Sequence, residues 1–125
     1  MLFEIPRDVA ELAADCGYDV GGQMLEIQAI PHGLEIGGAL LVVGGKLVAV
    51  ELPNIHPDSH RNHYYPDLDA LARVYPDAEV FGIWHTHWND VPPSAQDKRA
   101  QGIWAAEYGV PVFAIFSDTK SWWLS

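Results

Sequence analysis

The sequence predicts an α/β (α+β) fold, a mixed β-sheet flanked by helices. Three observations predict it. Apolar runs of strand length recur along the chain, three stretches with helical spacing lie between them, and one Gly-Gly turn joins two of the runs into a hairpin. A hairpin needs antiparallel neighbours, while a strand–helix–strand passage allows parallel ones, so a mixed sheet is expected rather than a purely parallel one.

Taken in order, "LFEI" is a short strand and Pro6 suits the first turn of a helix over about 6–16, which Gly17 ends. "QMLEIQAI" sets Leu25, Ile27 and Ala29 against Glu26 and Gln28, the alternation of a half-buried strand. "GALLVV" and "KLVAVEL" form the hairpin, and the first arm, apolar throughout, is expected to be buried on both faces. Residues 53–66 are polar and bracketed by prolines, hence a long loop, and "DLDALARVY" is a short helix ending before Pro76. "EVFGIWHTH" is a strand and "SAQDKRAQGIWAAEY" a helix with Ile103 and Trp104 facing the core, stopped by Gly109. "VPVFAIFS" and "SWWLS" are strands joined by the turn "DTK".

One domain spanning 1–125 is expected, because this length can bury a core without metals or disulfides. With 49% apolar and 19% charged residues, the chain reads as a globule and not a disordered tail. The apolar run "IGGALLVVGG" is too short to span a bilayer, so no membrane segment is expected. Residues 1–16 lack a basic n-region and a small-residue cleavage site, so no secretory signal is expected and the reading is cytoplasmic. The single cysteine, Cys16, rules out an internal disulfide; its spacing with Val9, Leu12 and Ala13 makes it a small core residue. A net charge of −10 disfavours nucleic acid, which demands a positive surface.

The chemistry concentrates in "HTHWNDVPPSAQD", residues 85–97. Alternation in a strand points His85 and His87 to one side with Thr86 opposed. Two imidazoles so placed can bind one Zn²⁺, and Asp97 in the first turn of the next helix can supply a third ligand, leaving the fourth position to water. Ser94-x-x-Asp97 is equally a helix start, with Ser94 as N-cap and Asp97 favoured by the helix dipole. Both roles are compatible, and the motif lies at a strand-to-helix crossing, where α/β sites form.

A glutamate upstream, then H-T-H, then S-x-x-D, with "VFGIW" before the first histidine, resembles the zinc motif of the JAMM/MPN metalloprotease family. The resemblance extends to the order of elements over most of the chain. It implies a three-layer domain of cytidine-deaminase-like architecture, with His85, His87 and Asp97 as ligands to one Zn²⁺. It also implies that Ser94 hydrogen-bonds the reacting carbonyl oxygen or the water. Two departures stand out. Six residues, Trp88 to Pro93, separate His87 from Ser94 where the family has seven, and Trp88 replaces a usual proline.

Peptide hydrolysis also needs a proton acceptor. The family pattern E-x-x-G-x-L is met by Glu35, Gly38 and Leu40 in "EIGGALL", which makes Glu35 the expected base. Asp19 of "DVGGQML", Glu26 and Glu51 are the alternatives. Trp88 is expected to wall the substrate cleft or to pack on the loop prolines. His56, His60 and His63 read as a solvated or substrate-facing loop, since their spacing has no fixed geometry there. Trp122 and Trp123 cannot both face inward on one strand, so one is expected to be exposed or covered by a partner.

The expected function is a zinc-dependent peptidase or isopeptidase. The resemblance implies a protein or peptide substrate such as the C-terminus of a ubiquitin-like or sulfur-carrier protein. The alternatives are a catalytically inactive MPN-type scaffold, or a phage tail-assembly protein, acting by protein–protein binding. The three retained ligands argue against the scaffold.

Overall fold

A computed structural model describes residues 1–28, 30, 34–57 and 64–125. Five strands form the main sheet: β3 (Gly37–Val43), β4 (Lys46–Glu51), β5 (Glu79–Thr86), β6 (Val112–Phe116) and β7 (Ser121–Leu124), in spatial order β4-β3-β5-β6-β7. Every neighbouring pair is antiparallel except β5 and β6, which run parallel. The mixed sheet follows from connectivity. The Gly44-Gly45 turn, with both φ positive, closes the β3–β4 hairpin, whereas a helix carries the chain from β5 to β6.

Both faces of this sheet are covered, giving three layers. On one face lie α1 (Arg7–Asp15) and the small antiparallel pair β1 (Leu2–Glu4) and β2 (Met24–Glu26), whose Phe3, Val9, Ala13 and Leu25 pack on Leu40, Trp84 and Phe116. On the other face α3 (Ala95–Tyr108) sets Trp104 against Ile83, Phe113 and Ile115, and α2 (Leu68–Val74) sets Leu71 against Ala39 and Leu41. Odd and even residues of β3 and β6 therefore enter different cores, as period-two alternation requires. In β5 a register shift opposite Leu40/Leu41 inserts Phe81, so Phe81 and Ile83 enter different cores despite their even separation.

Two glycines allow β3 its central place. A Cβ at Gly38 would stand 1.7 Å from the Val50 carbonyl oxygen, and one at Gly37 would stand 2.3 Å from that of Trp84. Trp84 instead closes the gap, its Nε1 donating to both the Ala39 and Val50 carbonyls at 3.2 Å.

Three packing expectations are corrected. Cys16 is exposed, because α1 ends at Asp15 and Cys16 follows as its C-cap, outside the face that buries Val9 and Ala13. Ile103 is 52% exposed while Trp104 is buried; successive helix residues are turned by about 100°, and the larger ring takes the sheet face. Trp122 and Trp123 do point to opposite faces, yet both are half-buried, since each face of β7 meets a different core cluster. No helix among the described residues is long and apolar enough to cross a membrane.

Candidate metal centre

Register brings the first acid to the histidines. β3 and β5 pair Gly37 with His85, and the backbone amide of Thr86 donates to Ile36 O at 2.9 Å. Continuing that antiparallel register outward places Glu35 opposite His87. Glu35 Oε1 accordingly lies 3.2 Å from His87 Nε2. The clamp is doubled, because Thr86 Oγ1, fully buried, accepts from the Ile36 amide at 3.1 Å.

The second acid comes from the crossing to α3. His87 leaves β5 with its amide bonded to Phe116 O at 3.0 Å, and a 3₁₀ turn, Trp88–Asp90, follows. Asn89 and Asp90 both have positive φ, a costly conformation for residues other than glycine. The β6–β7 turn holds them there. Asp118 Oδ2 accepts from Asn89 N at 3.1 Å, Ser117 Oγ accepts from Asp90 N at 2.6 Å, and Asp90 Oδ1 accepts from Thr119 N at 2.9 Å. The short six-residue loop is thus braced at Asn89 and Asp90 and delivers Ser94 and Asp97 to the histidines.

Ser94 and Asp97 form a full capping box. Ser94 Oγ accepts from Asp97 N at 3.1 Å, and Asp97 Oδ2 accepts from Ser94 N at 2.8 Å. The same carboxylate faces both histidines: Oδ1 is 3.4 Å from His85 Nε2 and Oδ2 is 3.5 Å from His87 Nε2. The two Nε2 atoms are 3.2 Å apart. Ligand atoms of Glu35, His85 and His87 all lie within 4.8 Å of one another, so this group can hold a metal ion.

The surroundings favour a cation. Side-chain exposure at His85, His87, Glu35 and Asp97 is between 6% and 12%, and among the described residues no lysine or arginine lines the cleft above them. Burial alone would raise the Asp97 pKa, but the hydrogen bond and charge of His85 and the Ser94 amide outweigh it, leaving the carboxyl at about 2. Burial alone would lower the His87 pKa; the hydrogen bonds to Glu35 and Val91 and the Asp97 charge together hold it above the ordinary imidazole value. His87 Nδ1 lies 2.9 Å from Val91 O. That carbonyl can only accept, so it fixes the proton on Nδ1 and leaves the Nε2 lone pair for a ligand role.

Comparison of the chain with protein-family models and with curated proteins gives no match to either. The geometry stands on its own.

The site floors a cleft of about 610 Å³, whose lining includes Glu35, His85, His87, Ser94 and Asp97. All five predicted catalytic and ligand residues are therefore together. The alternative acids are not. Asp19 and Glu26 are exposed and absent from the cleft lining, and exposed Glu51 lines a neighbouring hollow that Glu35 also lines. Trp88 is not in the cleft. Alternation turns it to the side opposite His87, where it packs against the α1 core. His56 lines the cleft, while His60 and His63 lie outside the described residues. Two contributors carry no chemical signature in the sequence. Thr86 was visible between the histidines, but only as the residue pointing away. Val91 acts through its backbone, which no side-chain motif reports.

Proposed function

We propose that the chain is a zinc-dependent peptidase or isopeptidase of the JAMM kind its motif resembles. The observation that carries this is the spacing of the donor atoms at the floor of the cleft. A tetrahedral zinc with bonds of about 2.0–2.1 Å requires ligand atoms about 3.3–3.4 Å apart. The His85 and His87 Nε2 atoms are 3.2 Å apart, Asp97 Oδ1 is 3.4 Å from His85 Nε2 and Asp97 Oδ2 is 3.5 Å from His87 Nε2, so each histidine meets its own oxygen of the one carboxylate. Two imidazoles and one carboxylate, open to a cleft, also match the composition of a catalytic rather than a structural zinc site.

Zinc, when bound there, supplies a Lewis acid for a carbonyl oxygen and lowers the pKa of water toward about 7. The chain's own residues do the rest. Asp97, kept ionised, and His87, its tautomer set by Val91, present their ligand atoms without reorganisation. Glu35 accepts a proton from the attacking water as its oxygen bonds the carbonyl carbon. It then returns that proton to the departing amine as the C–N bond breaks. Ser94 Oγ already accepts from the Asp97 amide, which leaves its O–H to donate to the developing oxyanion.

A second reading is favoured by one distance. Glu35 Oε1 is 3.2 Å from His87 Nε2, the spacing of the other edges, so Glu35 as a fourth ligand would close the site into a structural one. Zinc content of the wild type, His87→Ala and Glu35→Gln separates the cases. The catalytic reading expects about one zinc per wild-type chain, weak retention in His87→Ala, and normal zinc without turnover in Glu35→Gln. Loss of zinc affinity in Glu35→Gln would establish the closed site, and a wild type unable to take up zinc would reject both.

A further inference from the structure

The sheet face that carries the metal centre is not evenly covered. α2 and α3 stand apart over β3 and β5, and between them lies a hollow of about 190 Å³. Its floor is Gly38, Ala39 and Val80, and Leu68 and Leu71 of α2 form one wall. No charged side chain lines it among the described residues. The short side chain on this face of β3 is why the space is open: Ala39, between the walls, contributes a single methyl.

The hollow adjoins the cleft that the metal centre floors. Pro66, Ile83, Trp104 and Tyr108 line both spaces. Ile83 lies two residues before His85 on the same side of β5, so the shared wall begins roughly 6–7 Å from the metal-binding end. That is the span of one extended side chain. An apolar cavity of about 150 Å³ admits a benzene ring, so this volume suits a phenyl or branched aliphatic group.

We propose that this hollow is a specificity subsite, holding a large apolar side chain of the substrate residue that flanks the cleaved bond. The proposal rests on the hydrolase reading above. It commits to the substrate's own side chain because the hollow shares four lining residues with the cleft and lies one side-chain length from the ligands. Exposed Ile103 and Tyr108 at the rim extend the same apolar surface outward.

Hydroxamates, which chelate zinc through the group standing in for the scissile carbonyl, test this with zinc-loaded protein by isothermal titration calorimetry. The probes are acetohydroxamate and 4-phenylbutyrohydroxamate. Each buried methylene is worth about fourfold in affinity, so the longer probe is expected to bind at least about tenfold tighter. Leu68→Trp and Ala39→Val both grow into the hollow from different sides, and each is expected to bring the ratio of the two affinities close to one. A wild-type ratio near one overturns the subsite. So does a large ratio that survives in both filled variants, which would place the apolar group elsewhere. Failure of acetohydroxamate itself to bind zinc-loaded wild type instead rejects the open metal site of the previous section.

Discussion

Replacing Thr86 by valine isolates one hydrogen bond at the centre of the site's architecture. Thr86 is 0% exposed, and its Oγ1 accepts from the Ile36 amide at 3.1 Å. Valine has nearly the same shape, so packing is retained while that amide loses its acceptor. An orphaned buried donor costs about 1–3 kcal/mol, and burying a methyl in place of a hydroxyl returns about 1 kcal/mol or less. The net expectation is about 1–2 kcal/mol of destabilisation. For a domain of this size that is roughly 4–8 °C in Tm. Thermal and urea unfolding followed by circular dichroism measure it. Thr86→Ser keeps the acceptor and should lose only the methyl's burial. The same bond tethers the residue next to Glu35, so Thr86→Val should keep wild-type zinc content yet lower turnover on any substrate found. A Thr86→Val protein as stable as wild type would refute the account of how β5 fixes Glu35.

The remaining predictions concern the brace and the backbone. The Asp90 carboxyl is held below its ordinary pKa by hydrogen bonds from the Thr119 hydroxyl and amide, then by Ser117 and Lys120. A depressed folded pKa stabilises above the unfolded value of about 3.9 and is lost as pH falls through the folded one. The Tm gap between wild type and Asp90→Asn should therefore be steady from about pH 7 to 5 and shrink below about pH 4; a gap independent of pH would refute the brace's ionic character. Gly38→Ala should destabilise by at least about 3 kcal/mol, because the obstacle is the Val50 backbone at 1.7 Å. Gly102→Ala, in α3 with open space around it, should stabilise by about 0.5–1 kcal/mol. Equal effects of the two substitutions on denaturant midpoints would contradict the packing described for β3.

Much of the site was legible because its parts are local. His85 and His87 share a side by strand alternation, and Ser94 and Asp97 share a helix turn by capping geometry. Both statements depend on neighbours within a few residues. The choice of Glu35 over Asp19, Glu26 and Glu51 was a matter of pattern in the sequence. In the structure it is a matter of register, since only a strand paired as β3 is with β5 carries residue 35 to residue 87. The misplaced residues have a common origin. Apolarity and spacing alone cannot place Ile103, Cys16, Trp88 or the Trp122–Trp123 pair, because each outcome turns on which face of an element meets which layer.

Local patterns thus determined the mixed sheet, the order of its elements, the helix cap, and the two histidines that with Glu35 can hold a metal ion. Period, propensity and capping act over a handful of residues and are written in the chain directly. Only the tertiary structure decided that Thr86 clamps the segment bearing Glu35, that the β6–β7 turn braces the shortened loop, and that Val91 sets the His87 tautomer. It alone decided that α2 and α3 leave an apolar hollow beside the site. Those contacts join residues 27 to 50 positions apart or act through backbone carbonyls, and they exist only once the layers have packed.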